Sequence, residues 1–398
     1  MTLAQIEAGV PRDLHVFLVV GEESGDQLGA GLMRAIRWRA TGAVRFSGVG
    51  GRAMAAEGLS SLFPPSDIAL MGWLPILKQL PVVLARLRET VAAVLAADPD
   101  TLVIIDSPSF THRVAKRVRR ARPDIVIVNY VSPSVWAWKP WRAAAMRRYI
   151  DHVLALLPFE PAAHTRLGGP PCTYVGHPLI EHLSLLRPDA EEEARRASQP
   201  PLVLVLPGSR RGEITRLLGP FRDAIEAVRA RHGELELILP TVPHLEAEVR
   251  AATATWRSPP RVTADPAEKQ RAFRSARAAL AASGTVTLEL ALAQVPTVAA
   301  YKVAPLEAAL LRRLVQVPSA ILSNLVLGEN VVPEFLQEDC TPERLAAALA
   351  GIMQDGPERQ RQLEAFVKIE TLMQVASSPS DTAAAVVLDL IAKRPRIR

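Results

Sequence analysis

The 398-residue chain predicts an α/β fold built from two doubly wound halves. Three observations predict it. Short apolar runs alternate with helical patterns, as in parallel βαβ units. Most runs end in a loop rich in Gly, Ser, Asp or Pro. The pattern halts at a proline-bracketed stretch, residues 187–201, and then restarts. At about 150 residues per domain, the length allows two or three domains.

The elements follow in order. His15-Val16-Phe17-Leu18-Val19-Val20 reads as a buried strand, then Gly21-Glu22-Glu23-Ser24-Gly25-Asp26 as a loop, then Gln27 to Arg39 as a helix. Val44 to Val49 is a second strand closed by Gly50-Gly51, and Leu80 to Ala97 is helical. Thr101 to Ile105 is a strand ending in Asp106; Ile125 to Tyr130, Val153 to Leu157 and Cys172 to Val175 are further strands. The stretch 187–201 reads as a linker with a short helix. Beyond it, Leu202 to Leu206, Leu235 to Leu239, Arg277 to Ala282 and Thr297 to Tyr301 are strands. Thr341-Pro342-Glu343 starts a helix, with Thr as cap and Pro at the first helical position.

Composition narrows the class. Apolar residues are 49% and charged residues 22%, which excludes a disordered chain. Cys172 and Cys340 are the two cysteines. One pair makes no disulfide framework and no CxxC spacing exists, so a reducing compartment is expected. The first residues lack a basic region followed by an apolar one, so no secretory signal is expected. The apolar run from Ile68 to Leu77 is too short to span a bilayer and is suited to lie on one. Residues 112–150 hold ten Lys or Arg and one acid, Asp124, a local excess larger than the net +6 of the chain. Such a segment is either a solvated helix face or a site for an anionic partner.

Ligands of doubly wound sheets bind beyond the carboxyl ends of strands. Two such halves imply a cleft between them. The motifs rank accordingly. Glu22, Ser24 and Asp26 lie on the first strand-to-helix loop, where Gly21 and Gly25 permit close approach; they are either caps or ligand groups. Asp106 is either a helix cap or a general base. Pro207-Gly208-Ser209-Arg210 offers an arginine suited to phosphate. Ser283-Gly284-Thr285 opens a helix whose amino end suits a pyrophosphate, and Glu289 one turn on can accept ribose hydroxyls. These suggest a nucleotide in the second half without a GxxxxGK[ST] loop. Asp98-Pro99-Asp100 sits at the amino end of its strand and reads as a turn, not a metal site. Trp136, Trp138 and Trp141 fall within six residues of one another, beside Lys139 and Arg142, which suits a sugar face or a membrane interface.

These strings resemble a known family. GEESGD from Gly21, IDSP from Ile105, YVSPSVWAW from Tyr130, LPFE from Leu157, GHP from Gly176, LPGSR from Leu206, ASGT from Ala282 and SNL from Ser323 occur in the order seen in lipid-A-disaccharide synthases, glycosyltransferase family 19. The resemblance covers about Val16 to Leu390, and the VSPSVWAW string is its most specific part.

The resemblance implies a GT-B fold, two Rossmann-like domains facing across a cleft. It implies residues 13–185 as the acceptor and membrane side, 186–365 as the UDP-sugar side, and 366–398 as a C-terminal helix that returns to the first domain or is swapped. It implies inverting, metal-independent transfer of 2,3-diacylglucosamine from its UDP derivative to 2,3-diacylglucosamine 1-phosphate. The products are a β-1,6-linked disaccharide 1-phosphate and UDP. No cofactor is implied. Partners would be the two acylated sugars and an anionic membrane surface at the cytoplasmic face of the inner membrane, with no nucleic acid; homodimers are known in the family.

The implied site is as follows. Asp106 is the catalytic base. Glu22, Ser24, Gly25 and Asp26 form the acceptor-side loop. Arg210, Ser283, Gly284, Thr285, Glu289 and Asn324 bind the nucleotide. Met71, Gly72, Trp73, Trp136 and Trp138 meet lipid or membrane. The sequence departs from the family's usual residues at Glu23 (Ala), Ser109 (Asp), Thr111 (Asn) and Ser323 (Pro), which puts more weight on Asp106. Two rival readings are another GT-B member, such as a UDP-N-acetylglucosamine epimerase or a soluble sugar transferase, and a nucleic-acid-binding protein using the basic segment.

Overall fold

The computed structural model describes residues 13–68, 73–305, 307, 308, 314 and 317–394. The chain forms two compact units: residues up to Pro178 together with Val375 onward, and Leu179–Gln374.

The first unit holds a parallel sheet of β1 (Leu14–Val20), β2 (Val44–Val49), β3 (Thr101–Ile105), β4 (Val126–Tyr130), β5 (His152–Ala155) and β6 (Cys172–Tyr174). Their order is β2-β1-β3-β4-β5-β6. β1 is apolar throughout because both its faces are covered. Val16, Leu18 and Val20 join one core with α1 (Glu23–Arg39) and the last helix of the chain, Pro379–Lys393. Phe17 and Val19 point the other way, into a core with α3 (Trp73–Ala97) and α4 (Thr111–Ala121). Helix α1 starts four residues earlier than its pattern predicts. Between β2 and α3 lies the short α2 (Arg52–Ala56).

The last helix packs on α1. A β-carbon on Gly31 would fall 2.4 Å from Ser380 Oγ, so glycine sets this close approach. Arg39 Nε and Nη2 grip both carboxylate oxygens of Asp381 at 2.5 and 2.6 Å, tying the end of α1 to the start of the last helix. Ala383, Ala384, Val387 and Ile391 complete the seam.

The second unit holds β7 (Leu202–Leu206), β8 (Glu236–Pro240), β9 (Arg261–Thr263), β10 (Ala278–Ala282), β11 (Thr297–Tyr301) and β12 (Glu334–Leu336), in the order β12-β11-β10-β7-β8-β9. Its core gathers Val203, Val205, Leu237, Leu280 and Val298 against Leu217, Phe221 and Ile225 of the long helix Arg211–His232. β9 and β12 were not expected. Each has three residues, too few for a periodic signal. Of the reading of 187–201 as a linker with a short helix, the helix is present and the linker is corrected. Helix Ala190–Ala197 opens with a capping box between Asp189 and Glu192, and its Arg196 is buried. The Arg196 guanidinium donates to the carbonyls of Phe273, Arg274, Ala293 and Gln294. The segment is therefore packed into the second unit.

Candidate active site

Each sheet reverses its direction of winding once. In the first unit the reversal falls between β1 and β3; in the second, between β7 and β10. The strand ends flanking such a point are where ligands of these sheets bind. Glu22 follows β1 and Asp106 follows β3. Arg210 follows β7 and Ser283-Gly284-Thr285 follows β10. The sequence-selected residues thus stand at both switch points.

In the first unit, Asp106 and Ser107 take φ of +54° and +42°. Two successive left-handed non-glycine residues are strained, and such strain gathers at functional sites. The turn is held from several sides. Asp106 N–H donates to Tyr130 O at 3.2 Å. Ser107 N–H donates to Asp106 Oδ1 at 2.7 Å. The buried Thr111 hydroxyl lies 2.7 Å from Asp106 O and 3.0 Å from Ser107 O. Asp106 caps no helix: α4 starts at Thr111, after Phe110. Its side chain is half-buried. Ser109, where the resemblance leads to the expectation of a second acid, is exposed.

Glu22 and Ser24 are exposed. Glu22 is the N-cap residue of α1, but its side chain makes no cap hydrogen bond. Ser107 Oγ lies 3.5 Å from Glu22 Oε1, so Ser107 links the Glu22 and Asp106 loops. Gly25 is buried, where a β-carbon would lie 3.6 Å from that of Asp106. Asp26 does something else. It is 4% exposed, and its carboxylate accepts N–H groups of Gly51, Ala53 and Met54 at 2.7, 2.8 and 3.2 Å. It caps α2 from a distance, and its place in the acceptor loop is corrected on that ground.

In the second unit a cavity of about 330 Å³ is lined by Arg210, Thr241, Lys269, Ser283, Gly284, Thr285 and Glu289, among others. Arg210 is 72% exposed, its guanidinium 3.3 Å from Glu213. Gly284 has φ +149° and is the N-cap of the helix Thr285–Leu292. Ser283 Oγ donates to Ala320 O at 2.6 Å. Both oxygens of Glu289 lie 2.9 Å from Lys269 Nζ. A carboxylate has about four acceptor positions, so two remain for donors on a ligand.

Two lining residues carried no signal that sequence reasoning used. Lys269 belongs to no motif. Glu213 is the third helical residue after Arg210; its Oε2 accepts N–H of Ser209 and Arg210 at 3.2 and 3.3 Å. Its spacing is that of a capping box, which could have revealed it. Asn324 is not at the cavity. It is 1% exposed. Its Nδ2 donates to Ser319 Oγ and Val332 O, and its Oδ1 accepts N–H of Val331 and Val332. All four positions of the amide are taken, which corrects its assignment as a direct nucleotide ligand.

Met71, Gly72 and the side chain of Trp73 lie outside the described residues. Trp136 and Trp138 are partly exposed. Trp138 carries Lys139 Nζ 4.3 Å from its ring centre. Trp141 is 62% exposed, and Arg147 and Arg148 are exposed as well. Of the basic segment, Arg119 pairs with Asp151, and Arg122 with Asp98 and Asp124. Arg113, Lys116, Arg117 and Arg120 line the solvent face of α4. Asp100 accepts His15 N–H at 2.7 Å. The Asp98-Pro99-Asp100 string is thus engaged in structural contacts. No helix among the described residues is long and apolar enough to cross a membrane.

A family model described as lipid-A-disaccharide synthetase matches residues 16–387. The chain is 58% identical over 376 residues to a protein named lipid-A-disaccharide synthase from Nitrobacter hamburgensis, covering 94% of this chain and 95% of that one. It is 55% identical over 394 residues to its namesake from Rhodopseudomonas palustris strain HaA2, covering 99% and 100%. Among solved structures, UDP-GlcNAc 2-epimerase from Neisseria meningitidis bound to UDP-GlcNAc superposes with TM-score 0.58 at 10% identity, covering 96% and 100%. MurG of Acinetobacter baumannii gives 0.55 at 16%, covering 96% and 99%. The fold is therefore GT-B, with two Rossmann-like domains.

Proposed function

The chain belongs to the lipid-A-disaccharide synthetase family, and from that premise we propose that it transfers 2,3-diacylglucosamine from UDP-2,3-diacylglucosamine to the 6-hydroxyl of 2,3-diacylglucosamine 1-phosphate. The enzyme forms the lipid A disaccharide; the substrates, the stereochemistry and the residue roles given next are our reading. The observation that carries it is the cavity at the second sheet's switch point, which brings together Arg210, the Thr285 helix start and Glu289. An exposed guanidinium and a free helix amino end suit a diphosphate, and a carboxylate beside them suits a ribose. Bound UDP-GlcNAc in the Neisseria epimerase of the same fold supports a sugar nucleotide.

In this reading Asp106 takes the proton of the acceptor 6-hydroxyl. The oxygen forms a bond to the anomeric carbon from the face opposite the leaving group. The bond from that carbon to phosphate oxygen breaks, and UDP leaves with the electron pair. One in-line displacement inverts the centre and gives a β-1,6 link. Arg210 and the helix amino end meet the charge that develops on UDP. Asp106 Oδ1 already accepts Ser107 N–H, which fixes the carboxylate and leaves Oδ2 to act as base.

Acyl chains keep both sugars in a bilayer, since each buried CH₂ contributes about 0.8 kcal/mol. The enzyme then works at the membrane surface, on the cytoplasmic face where UDP-sugars are made. The cationic face of α4 and the exposed Trp141 suit anionic lipid headgroups. The departures at Ser109 and Thr111 leave Asp106 as the single base of the scheme.

The test is a product assay with both diacylated sugars on vesicles, with and without a chelator. Equimolar disaccharide 1-phosphate and UDP, unaffected by chelator, is the expected result. Conversion of UDP-N-acetylglucosamine without any acceptor would favour the epimerase reading instead. A requirement for added divalent ion would remove the metal-free scheme.

A further inference from the structure

The first unit buries a carboxyl group that the reaction above does not use. Glu160 is the first residue of helix Glu160–Arg166 and is 3% exposed. Its Oε2 accepts N–H of Leu156 and Leu157 at 3.1 and 3.0 Å. Its Oε1 accepts the indole N–H of Trp136 at 3.0 Å. Phe159 meets the same indole edge-on, ring centres 5.0 Å apart. One turn along the helix, the buried His164 Nε2 lies 2.8 Å from Ser132 Oγ. Two residues of one short helix therefore hold both ends of the loop from Ser132 to Trp136.

That loop is set at its root as well. Val131, a β-branched residue, has φ +73°, a strained conformation held by its surroundings. Its N–H donates to Leu154 O, and its carbonyl accepts Asn129 Nδ2 at 3.0 Å. The preceding Tyr130 O accepts the N–H of Asp106. The loop and Asp106 thus share the carboxyl edge of adjacent strands, one hydrogen bond apart. Burying a carboxyl group is costly; here one oxygen is held by the backbone N–H groups of Leu156 and Leu157 while the other fixes a partly exposed indole.

We infer that Glu160 is a positioning residue for the acceptor: it fixes the Trp136 indole as a wall against which the acceptor's sugar ring packs beside Asp106. The inference rests on the reading of the first unit as the acceptor side. An indole face suits the C–H face of a pyranose, and the ring must be held at one angle to do so. Glu160 touches no substrate; it acts through Trp136. Its carboxyl group is held up at about 7 by burial, against which the Trp136 indole and the backbone N–H groups favour the charged form.

The experiment uses the full-length enzyme and the variants Trp136→Phe, Glu160→Gln and the double variant. Trp136→Phe keeps an aromatic ring and removes the only group that donates from the indole. The readouts are KM for diacylglucosamine 1-phosphate, KM for UDP-diacylglucosamine, UDP affinity and the melting temperature. The expected result is an acceptor KM raised about tenfold in each single variant, with donor KM and UDP affinity within about twofold. The double variant should be no worse than the worse single one, because both changes disable one device. An unchanged acceptor KM in a folded Trp136→Phe enzyme overturns the inference, as do effects that multiply. Should Glu160→Gln not fold, an unchanged acceptor KM in Trp136→Phe still overturns the inference. A wild-type enzyme that does not use the acceptor overturns the functional reading and this inference together; a working wild type with unaltered variants overturns this inference alone.

Discussion

Gly21 and Ser107 meet across the ends of β1 and β3: a β-carbon built on Gly21 falls 2.3 Å from both Cβ and Oγ of Ser107. Contact this close leaves room for no side chain at position 21. It also seats Ser107, and with it the strained turn that presents Asp106. Gly21→Ala should push Ser107 away and tilt Asp106. A shift near 1 Å costs on the order of a hundredfold in rate. Turnover should fall by about that factor while UDP affinity, a property of the other unit, stays unchanged. Steady-state rates and UDP titration check this; full turnover would show that the turn is not critical.

Asp106→Asn removes the proposed base and keeps the shape. General base catalysis contributes about 10²–10⁴-fold, so turnover should drop by that order with UDP affinity nearly constant. Near-normal turnover would take Asp106 out of the base role.

Arg210→Ala tests the nucleotide side. A hydrogen bond to a charged group contributes about 1.5–3 kcal/mol, equivalent to about ten- to a hundredfold in affinity. UDP binding measured by calorimetry should weaken by that range. Equal affinity would separate this loop from the diphosphate.

Glu160 makes stability depend on pH with a definite sign. Burial raises its folded pKa to about 7 from an ordinary 4.5. The folded state therefore holds the proton more tightly than the unfolded chain. The stability this adds is full below about pH 4.5 and is lost as pH rises through about 7. Its charged and titratable neighbours are His164, held down at about 4 by burial, and Cys172, pushed up chiefly by burial and then by Glu160. His164 contributes with the opposite sign between about pH 4 and 6.5, and this cancels in a comparison of two proteins that both carry it. Relative to Glu160→Gln, the wild type should lose stability from pH 5 to pH 8, by an order of a few kcal/mol. Urea unfolding of both proteins at the two pH values measures it; parallel curves would contradict the shift.

Ser323 lies in the helix Leu322–Leu327. Its hydroxyl is buried and has no hydrogen-bond partner among the described residues. A buried hydroxyl without a partner costs about 1–3 kcal/mol. Ser323→Ala should raise the melting temperature of the second unit by about 2–4 °C for each kcal/mol recovered, with UDP affinity intact. A lower melting temperature would mean that the hydroxyl has a favourable role.

Much of the fold was legible because its signals are local. β1 is a run of apolar residues because both its faces are covered, and that run is visible without neighbours. The glycine-bearing loop after it and the Asp106 turn mark strand ends by composition alone. Arg210 and the Ser283-Gly284-Thr285 start were found in the same way, and the switch points then coincided with them. The three-residue strands β9 and β12 were not legible, since each opens on a charged residue, Arg261 and Glu334, and shows no apolar run.

The sequence by itself determined the alternation of strands and helices, the family, and which loops end at the carboxyl edges of the sheets. What each polar side chain in those loops does follows from the contacts made in the folded chain. Asp26 and Glu22 lie in one motif, yet Asp26 is drawn into the amino end of α2 while Glu22 stays exposed beside Ser107. Asn324 spends its whole amide on Ser319 and the backbone at 331–332. Glu160 reaches 24 residues back to Trp136, and Asp381 reaches Arg39 from the far end of the chain. The reason is physical. Periodicity and turn chemistry act between near neighbours in sequence. A buried polar group instead takes whichever partner the folded chain brings within about 3 Å.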